Sequence, residues 1–331
     1  MGTGWSHTNL EEFEDAGTHR LQLSALILSA MKAVLLVGYG GVEQLRYEEV
    51  PRPEPGPGEV LVRVISTSVN PIDYKIRSGA MKDHMPWPLP AILGRDVAGE
   101  VIAVAPDVSK FKAGDRVIGL VNHSYAEYLT AEADVLAKLP DGIDAENAGA
   151  LPLVVTTGAQ LIEKGIQPKA GEVVLITGAA GSVGRTAVFV AKQHGAKVIA
   201  GVRGSQKADA ESLGADSVAA LDDDKAIAGL PELDAIADTV GGETLGKLLP
   251  RLKKSGRLAS VLGKSDAAQK AGVDVRAVLS QPDPVRLAQL VEDVRDGRFK
   301  IPIALRLDLS EIRKAHEAAE KGVDGKIVLH P

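Results

Sequence analysis

Two hydrophobic patterns divide the chain near residue 145. In the first part, short apolar or alternating runs typical of β-strands are separated by turn residues, and Val60, Val62 and Val64 fall on one face of such a run. The Pro- and Gly-rich stretch 51–58 predicts a turn, because proline cannot donate a ladder hydrogen bond. The pattern predicts a compact β-barrel whose strands cover residues 33–37, 45–50, 59–69, 99–104 and 116–120.

Beyond residue 145, predicted strands alternate with predicted helices. Such alternation is typical of a parallel, doubly wound sheet, so the chain as a whole is of the α/β class. The predicted strands cover 173–177, 197–202, 235–239 and 257–262, and the helices cover 147–164, 185–194 and 207–213. The last part fits neither pattern, with amphipathic helices over 284–296 and 309–321 and a closing strand over 326–329.

Residues 1–30 differ from the rest of the chain. They hold four acidic residues against one arginine, and a short apolar run over 21–28. A secretory signal begins with basic residues, so this stretch is better explained as an N-terminal extension: an upstream start, a disordered remnant of cloning or a packing arm. We therefore expect a barrel domain over 31–150, a cofactor domain over 151–281, and a C-terminal return over 282–331 that completes the barrel domain.

Composition excludes several classes of protein. The chain has no cysteine, which excludes disulfides, cysteine nucleophiles, thiolate zinc sites and cysteine-ligated iron–sulfur clusters. A formal net charge of −6 argues against nucleic-acid or anionic-membrane partners. No apolar run approaches the ~20 residues that span a bilayer. The absence of cysteine is compatible with a reducing cytoplasm, and we expect a cytoplasmic protein.

Residues 173–184 carry the clearest chemical signal: a buried strand, a glycine-rich turn and the start of a helix. The dinucleotide fingerprint G-x-G-x-x-G maps onto them with alanine in its first slot. Amides at a helix N-terminus face the phosphates, because unsatisfied N–H groups and the helix dipole favour negative charge. The turn predicts a dinucleotide site formed by Ala179, Gly181, Ser182, Val183 and Gly184.

The end of the second strand indicates which dinucleotide. A carboxylate there would favour NAD, but the sequence offers Arg203, Ser205 and Lys207, which suit a 2′-phosphate. We predict NADPH rather than NADH; the alternative is a solvated basic loop. Ligands bind at the carboxyl ends of parallel strands, which adds a further set of predicted cofactor contacts. These are Val240, Gly241, Leu262 and Gly263.

Several more motifs are unspecific singly but become informative through their order and spacing along the chain. They are Asn70–Gly79, Gly94–Gly99, Gly114–Val117, Ser124–Tyr128, Thr156–Gly158, Asp238–Gly242 and Gly325–Leu329. On these motifs, residues 31–331 resemble the medium-chain dehydrogenase/reductase superfamily, and most closely its zinc-free quinone oxidoreductase (zeta-crystallin-like) branch. The resemblance implies a GroES-like β-barrel catalytic domain, a Rossmann cofactor domain and a homodimer. It also implies that Thr157 touches the nicotinamide.

The resemblance locates the positions where zinc-dependent members hold their catalytic metal. Those members use a cysteine, a His-Glu pair and a later cysteine or acidic residue. The same positions here are Asn70, Arg95-Asp96 and a site near Leu153. An amide, an arginine and an aliphatic side chain cannot hold zinc, so we expect no metal site and no zinc-assisted alcohol oxidation.

The resemblance therefore implies hydride transfer to quinones or α,β-unsaturated carbonyls, with Asn70, Tyr74 and Lys75 as candidate catalytic residues. Lys75 stands where many quinone reductases of this branch carry tyrosine, and the N-P-x-D-x-K form is similar to relatives that reduce enals and enones. Two alternatives stay open: a non-catalytic, crystallin-like NADPH-binding protein, and an enoyl-thioester reductase.

Structural roles are expected for some polar residues nearby. Asp73 is expected to be a hydrogen-bonding residue, Arg77 and Asp96 to form an ion pair, and Tyr125 and Tyr128 to belong to the core. The segment 78–90 is either a hydrophobic lid or a packed loop.

Overall fold

The structure, a computed structural model, describes residues 30–331. The predicted N-terminal extension therefore lies outside the described residues, apart from Ala30. Within the described part of the chain, no helix is long and apolar enough to cross a membrane.

The first part of the chain forms antiparallel β-structure, as predicted. A small sheet has the order β2-β1-β4, and in a larger one β3 pairs with both β5 and β7, β5 with β6, and β6 with β8. The predicted strands 59–69 and 116–120 have the bounds given in advance. The eight strands are β1 Ala30–Leu36, β2 Leu45–Pro51, β3 Glu59–Val69, β4 Ala91–Ile92, β5 Asp96–Val104, β6 Arg116–Leu120, β7 Tyr128–Glu132 and β8 Leu136–Lys138.

The second part contains the predicted doubly wound sheet. Six strands pair in parallel in the order β11-β10-β9-β12-β13-β14. They are β9 Val173–Thr177, β10 Lys197–Val202, β11 Ser217–Ala220, β12 Leu233–Asp238, β13 Leu252–Ser260 and β14 Val275–Ala277. β12 and β13 begin and end earlier than predicted, so the residues after Asp238 and Ser260 lie in loops at the carboxyl edge of the sheet.

Ten α-helices accompany these strands in the described residues, with short 3₁₀ turns at 42–44, 133–135, 204–206, 211–213, 249–251 and 309–311. The helices are α1 Pro71–Arg77, α2 Ala145–Ala148, α3 Pro152–Gln160, α4 Ser182–Gln193, α5 Lys207–Ala210, α6 Asp224–Ala228, α7 Gly242–Leu248, α8 Asp266–Lys270, α9 Pro284–Arg295 and α10 Ile312–Lys321.

Two predicted helices are broken. The helix expected over 147–164 divides into α2, α3 and a π-helical segment, Leu161–Ile166. Gly149 separates α2 from α3 because the chain passes against β3, where a Cβ would lie 2.6 Å from the Ser66 carbonyl oxygen, and Pro152 then restarts the helix. The helix expected over 207–213 is α5 followed by a 3₁₀ turn.

The C-terminal part returns to the first sheet. Its strands are β15 Ile303–Asp308 and β16 Lys326–His330, and β16 pairs antiparallel with β3, placing Ile327 opposite Val69. The return also touches the part of the chain that contains the parallel sheet, since Phe299 stacks on Phe189 of α4 with ring centroids 4.6 Å apart. The pairing supports the predicted return, and the domain limits themselves stay a prediction.

Candidate active site

The glycine-rich turn after β9 is shaped by close backbone contacts; we call residues Gly178–Gly184 the glycine cradle. Gly178 has φ +63°, and a Cβ on it would lie 2.4 Å from Thr239 Oγ1. A Cβ on Gly184 would lie 2.1 Å from the Gly178 carbonyl oxygen. Gly181 is the N-cap of α4 and leaves room for a ligand beside the backbone. The cradle therefore fits the pyrophosphate of a dinucleotide.

Ala179, in the first slot of the predicted fingerprint, is not the residue that makes the tight turn. Ala179 is fully buried and its N–H donates to the Gly201 carbonyl at 3.1 Å. The left-handed residue of the turn is Gly178, one position earlier, which the sequence reading passed over. Ser182 and Val183, the first residues of α4, are half-buried at the mouth of the cradle.

A second candidate cofactor element lies at the carboxyl ends of β12 and β13. Asp238, fully buried, accepts hydrogen bonds from Thr177 Oγ1 at 2.8 Å, Ser260 Oγ at 2.8 Å and the Gly241 N–H at 2.9 Å. It thereby ties three neighbouring strands to the loop after β12. A cleft of about 640 Å³ opens there, lined by Asp238, Gly241, Ser260, Leu262 and Gly263 together with residues of α7 and α8.

Two predicted contacts at this edge expose apolar surface. Val240 is 47% exposed and Leu262 is 44% exposed, which is unusual for such side chains. Exposed aliphatic groups beside a cleft suit a flat ring, so their position favours the predicted cofactor contact.

The predicted 2′-phosphate residues follow β10 on an exposed turn. Arg203, Ser205 and Lys207 are all exposed. A hydrogen bond fixes the turn to the loop after β11, because the Gly204 N–H donates to Asp222 Oδ1 at 2.8 Å. Two cationic side chains and a hydroxyl thus lie on one short, anchored turn.

Helix α1 carries the predicted catalytic residues. Asn70 precedes it and Pro71 occupies its first turn, while Asp73 Oδ2 accepts the Asn70 N–H at 2.8 Å. The Tyr125 hydroxyl also donates to Asp73 Oδ2, at 2.9 Å, and burial raises the pKa of Asp73 to about 6. These contacts give Asp73 the structural role expected of it, and Tyr125 lies in the core as predicted.

Tyr74 and Lys75 are half-buried, as is Ile72 of the same helix. Partial burial, with the nearby Glu320 carboxylate, raises the pKa of Tyr74, so its hydroxyl is protonated at neutral pH and can donate a hydrogen bond. Neither residue lines the cleft at the ends of β12 and β13.

Asn70 belongs to a buried group that we call the junction cluster: Ser68, Asn70, Asp96, the backbone N–H of Leu153, and Lys326. Asn70 Nδ2 donates to Asp96 Oδ2 at 2.6 Å and to the Ser68 carbonyl at 3.4 Å. Both amide hydrogens are thereby used and the residue is fully buried. This differs from the prediction that Asn70 donates to the substrate, and Asn70 is better described as a positioning residue.

The predicted ion pair between Arg77 and Asp96 is wrong. Arg77 is directed to the C-terminal return, where its Nη2 lies 2.7 Å from Glu320 Oε1. Asp96 is fully buried and accepts from Ser68 Oγ at 2.5 Å and from the Leu153 N–H at 2.6 Å. The cation nearest to it is Lys326, with Nζ 3.8 Å from Asp96 Oδ2.

The junction cluster also tests the fit of a metal. The positions that correspond to zinc ligands are Asn70, Arg95-Asp96 and Leu153, and of these Asn70, Asp96 and Leu153 come together. They bring one carboxylate whose lone pairs are already hydrogen-bonded, an amide and an aliphatic side chain, and the ammonium of Lys326 lies 2.5 Å from Asn70 Oδ1. This set does not fit zinc, which needs several thiolate, imidazole or carboxylate ligands. Residues 30–331 contain no group of three or more His, Cys, Asp or Glu that could hold a metal ion.

Thr157 connects the junction cluster to the cofactor half. Its Oγ1 donates to the Leu153 carbonyl at 2.5 Å and lies 2.5 Å from Ser280 Oγ. Leu153 is therefore bound on both sides, its N–H by Asp96, which also accepts from Asn70, and its carbonyl by Thr157. The structure thus relates the predicted nicotinamide contact to the helix that carries Tyr74 and Lys75.

The segment 78–90 is packed in part. Met81, Met85 and Trp87 lie against the barrel core, and the Trp87 backbone N–H donates to the Tyr39 hydroxyl at 3.2 Å. Tyr128, predicted to be a core residue, is half-buried, with Arg52 5.4 Å from its ring centroid.

Sequence reasoning missed Lys326 as a site residue. It was noted only within the Gly325–Leu329 motif, as the first residue of a closing strand. The signal that could have found it is a lysine that begins a short apolar strand next to a glycine, since a buried lysine requires partners.

Both halves of the chain are similar to known families. Residues 56–141 match the alcohol dehydrogenase GroES-like domain, and residues 213–329 match a family described as zinc-binding dehydrogenase. The second family is described as zinc-binding, but the side chains of the junction cluster in this chain do not fit zinc.

Individual relatives cover nearly the whole chain. A chloroplastic quinone-oxidoreductase, QR1, of Triphysaria versicolor is 33% identical, covering 91% of this chain and 98% of that protein. A chloroplastic NADPH-dependent alkenal/one oxidoreductase of Arabidopsis thaliana is 31% identical, covering 93% of this chain and 81% of that protein. The structure of the quinone oxidoreductase from Coxiella burnetii has a TM-score of 0.83 at 31% identity, covering 91% of this chain and 99% of that chain.

Proposed function

The chain belongs to the zinc-free quinone oxidoreductase (zeta-crystallin-like) branch of the medium-chain dehydrogenase/reductase superfamily, and we propose that it reduces quinones or α,β-unsaturated carbonyls with NADPH. The observation that carries the proposal is the junction cluster, whose donors do not fit a metal ion. Without a Lewis acid the alkoxide of an alcohol is hard to stabilise. Negative charge on a quinone or enone oxygen is spread by conjugation, and hydrogen-bond donors can hold it.

The cofactor would be held by backbone and basic groups. NADPH, when bound, supplies a hydride to the acceptor. The glycine cradle would bind the pyrophosphate, and Arg203, Ser205 and Lys207 would bind the 2′-phosphate. Val240, Gly241, Leu262 and Gly263 would contact the cofactor at the carboxyl edge of the sheet, and Thr157 would contact the nicotinamide. The name of the NADPH-dependent Arabidopsis thaliana relative supports this choice of cofactor.

Tyr74 and Lys75 are the proposed catalytic residues. Hydride addition to the β-carbon of an enone moves an electron pair to the carbonyl oxygen, where the Tyr74 hydroxyl and the Lys75 ammonium can donate hydrogen bonds. A proton from Lys75 or from water then completes reduction at the α-carbon. Asn70 holds the start of their helix and does not donate to the acceptor. Lysine at position 75 and the alkenal/one oxidoreductase relative both favour enals and enones.

An NADPH-oxidation screen tests the proposal. The panel holds quinones, enals, enones and coenzyme A thioesters, each assayed with and without EDTA, for the wild type, Lys75→Met and the exposed control Lys82→Met. We expect activity on quinones or enones that EDTA leaves intact, and a loss of at least about tenfold in kcat for Lys75→Met, as for a lost general acid. NADPH affinity should stay unchanged in both variants.

Other outcomes of the screen count against parts of the proposal. NADPH binding without oxidation across the panel would favour the non-catalytic alternative, and a preference for thioesters would favour an enoyl-thioester reductase. Equal enone turnover in Lys75→Met and Lys82→Met would remove Lys75 from the reaction.

Arg203→Ala tests the choice of NADPH. We expect KM for NADPH to rise by about tenfold or more while KM for NADH changes little, because a charge-assisted contact to the 2′-phosphate is lost. The control is Lys197→Ala, an exposed cation at the opposite end of the same strand. An unchanged NADPH/NADH preference would refute the assignment.

Assembly and location are proposals as well: a homodimer in the cytoplasm. Two of the relatives are named as chloroplastic, so the location needs its own test. Sedimentation equilibrium of the full chain tests the dimer, and a C-terminal fluorescent fusion of the full chain tests the location.

A further inference from the structure

Lys326 is a buried lysine at the first position of β16, and no step of the proposed reaction uses it. Its residue exposure is 5%. Its Nζ donates to the Val69 carbonyl at 3.1 Å and to Asn70 Oδ1 at 2.5 Å, and lies 3.8 Å from Asp96 Oδ2. Because a buried ammonium without partners is strongly disfavoured, these contacts are what allow a lysine at this position.

The backbone fixes where this ammonium can lie. Gly325 has φ +137°, and a Cβ on it would lie 2.7 Å from the Pro302 carbonyl oxygen. The chain therefore enters β16 close against the segment before β15, which only glycine permits. The pairing of Ile327 with Val69 then sets Lys326 beside the end of β3.

Two buried carboxylates supply the negative charge around the ammonium. Burial lowers the pKa of Lys326, and Asp96 and Asp73 oppose that effect. Asp96 has no other cation near it in the described part of the chain, since Arg77 pairs with Glu320. The Lys326 ammonium is thus the counter-ion of Asp96.

The same ammonium lies between the starts of two functional helices. Through Asn70 it is bonded to the residue that begins α1, the helix of Tyr74 and Lys75. Beside it, Asp96 accepts the Leu153 N–H next to the first residue of α3, the helix of Thr157. One cation therefore holds the amide and the carboxylate that fix both helix starts.

We propose that Lys326 is a positioning residue of the reaction, whose ammonium orients the Asn70 amide and the Asp96 carboxylate and so keeps α1 and α3 in register with each other. The proposal rests on the proposed function, because it assumes that α1 carries the acceptor-binding groups and α3 the cofactor contact. The C-terminal strand β16 would thus contribute to catalysis by fixing the position of α1 relative to α3.

The first test replaces the charge and keeps the bulk. In Lys326→Met we expect a lower Tm and a loss of about tenfold or more in kcat for the best acceptor of the screen, because small misplacements of reacting groups are costly. NADPH affinity should change little. The control is Lys321→Met, an exposed lysine of α10, and Lys326→Arg should restore Tm better than kcat, since a planar fork cannot reproduce a point charge.

The double variant Lys326→Met/Asp96→Asn separates positioning from stability. With Lys326 gone, the Asn70 amide can reverse and present its oxygen to an asparagine at 96, so neither an unpaired charge at position 96 nor a clash of donors between the two amides remains. We expect Tm to recover toward the wild type while kcat stays low. Recovery of kcat together with Tm would overturn the proposal, as would a wild-type kcat in Lys326→Met.

Hydrogen exchange gives a measurement that does not depend on turnover. The Leu153 amide should exchange faster in Lys326→Met than in Lys321→Met, in the absence of any ligand, because Asp96 is no longer held in place. If the wild type reduces no acceptor, the proposed function fails while this measurement still decides whether Lys326 controls the start of α3. Unchanged exchange at Leu153 would refute that control even in an active enzyme.

Discussion

The glycine cradle and the junction cluster differ in what keeps them in shape. The cradle is made of backbone: a left-handed Gly178 and a Gly184 whose missing side chain lets the helix approach the strand. Its nearest buried carboxylate, Asp238, is bound by hydroxyl and amide donors. The junction cluster is made of side chains, with a carboxylate and an ammonium 3.8 Å apart.

The difference predicts opposite sensitivities. A site built of closely approaching backbone cannot accept one more carbon atom, because protein interiors have no spare volume. A buried ion pair fails when one partner loses its charge at constant volume, because the other charge is left unpaired in a medium of low dielectric constant. The glycine cradle should therefore lose stability when volume is added, and the junction cluster should lose stability when a charge is removed.

Gly184→Ala should have the largest effect and tests the volume side of this comparison. The new Cβ would lie 2.1 Å from the Gly178 carbonyl oxygen, so the turn must move. We expect a loss of at least about 3 kcal/mol of stability or of NADPH affinity, since both depend on the same backbone. NADPH titration by fluorescence and thermal unfolding measure the two.

Gly181→Ala is the matched control for that variant. Its Cβ would lie 3.2 Å from the same Gly178 oxygen, a contact that a small shift relieves. Its effect should be clearly smaller. Equal effects of the two substitutions would mean that backbone approach at Gly184 does not define the cradle.

The two regions also differ in how far the sequence predicted them. The cradle lies within one local stretch, so β9, the turn and the start of α4 follow from glycine spacing and an apolar run. The partners in the junction cluster are far apart in the chain: Asn70 and Lys326 are separated by 256 residues. No local pattern links them, so the sequence alone pairs Asp96 with Arg77 and gives no sign that both hydrogens of the Asn70 amide are used within the protein. The break at Gly149 was missed for the same reason, as it arises from contact with β3.

Asp96→Asn and Asp238→Asn compare charge removal in the two regions. Both aspartates are fully buried and asparagine has the same shape. Asp96→Asn leaves Lys326 without its counter-ion and sets an amide against Asn70 Nδ2, so we expect a loss of about 3 kcal/mol in the free energy of unfolding. Asp238→Asn keeps its oxygen toward the amides and lets Ser260 reverse its hydrogen bond, so about 1 kcal/mol is expected. Urea unfolding at neutral pH measures both, and a larger loss for Asp238→Asn would contradict the comparison.

His316→Leu should have the smallest effect and extends the charge argument to a neutral group of the barrel half. His316 is fully buried, packs edge-on against Tyr125 at 5.9 Å, and neither ring nitrogen has a hydrogen-bond partner among the described residues. Burial, assisted by the Arg77 charge, lowers its pKa from 6.5 to about 3. Removing unsatisfied nitrogens should stabilise the protein by about 1 kcal/mol at neutral pH.

The pH dependence of the unfolding free energy distinguishes the loss of a titratable histidine from simple repacking. The unfolded chain binds a proton at His316 below pH 6.5 while the folded protein does not until about pH 3, so the histidine costs stability progressively as pH falls through that range. Asp73 acts in the opposite sense: its folded pKa of about 6 lies above the ordinary value of 3.8, so its protonation favours the fold as pH falls. Because Asp73 is common to both proteins, the difference between His316→Leu and wild type isolates the histidine. That difference in unfolding free energy should widen from pH 7 to pH 4.5, whereas the exposed control His84→Leu should show far less widening; parallel curves would mean that His316 is protonated within the fold.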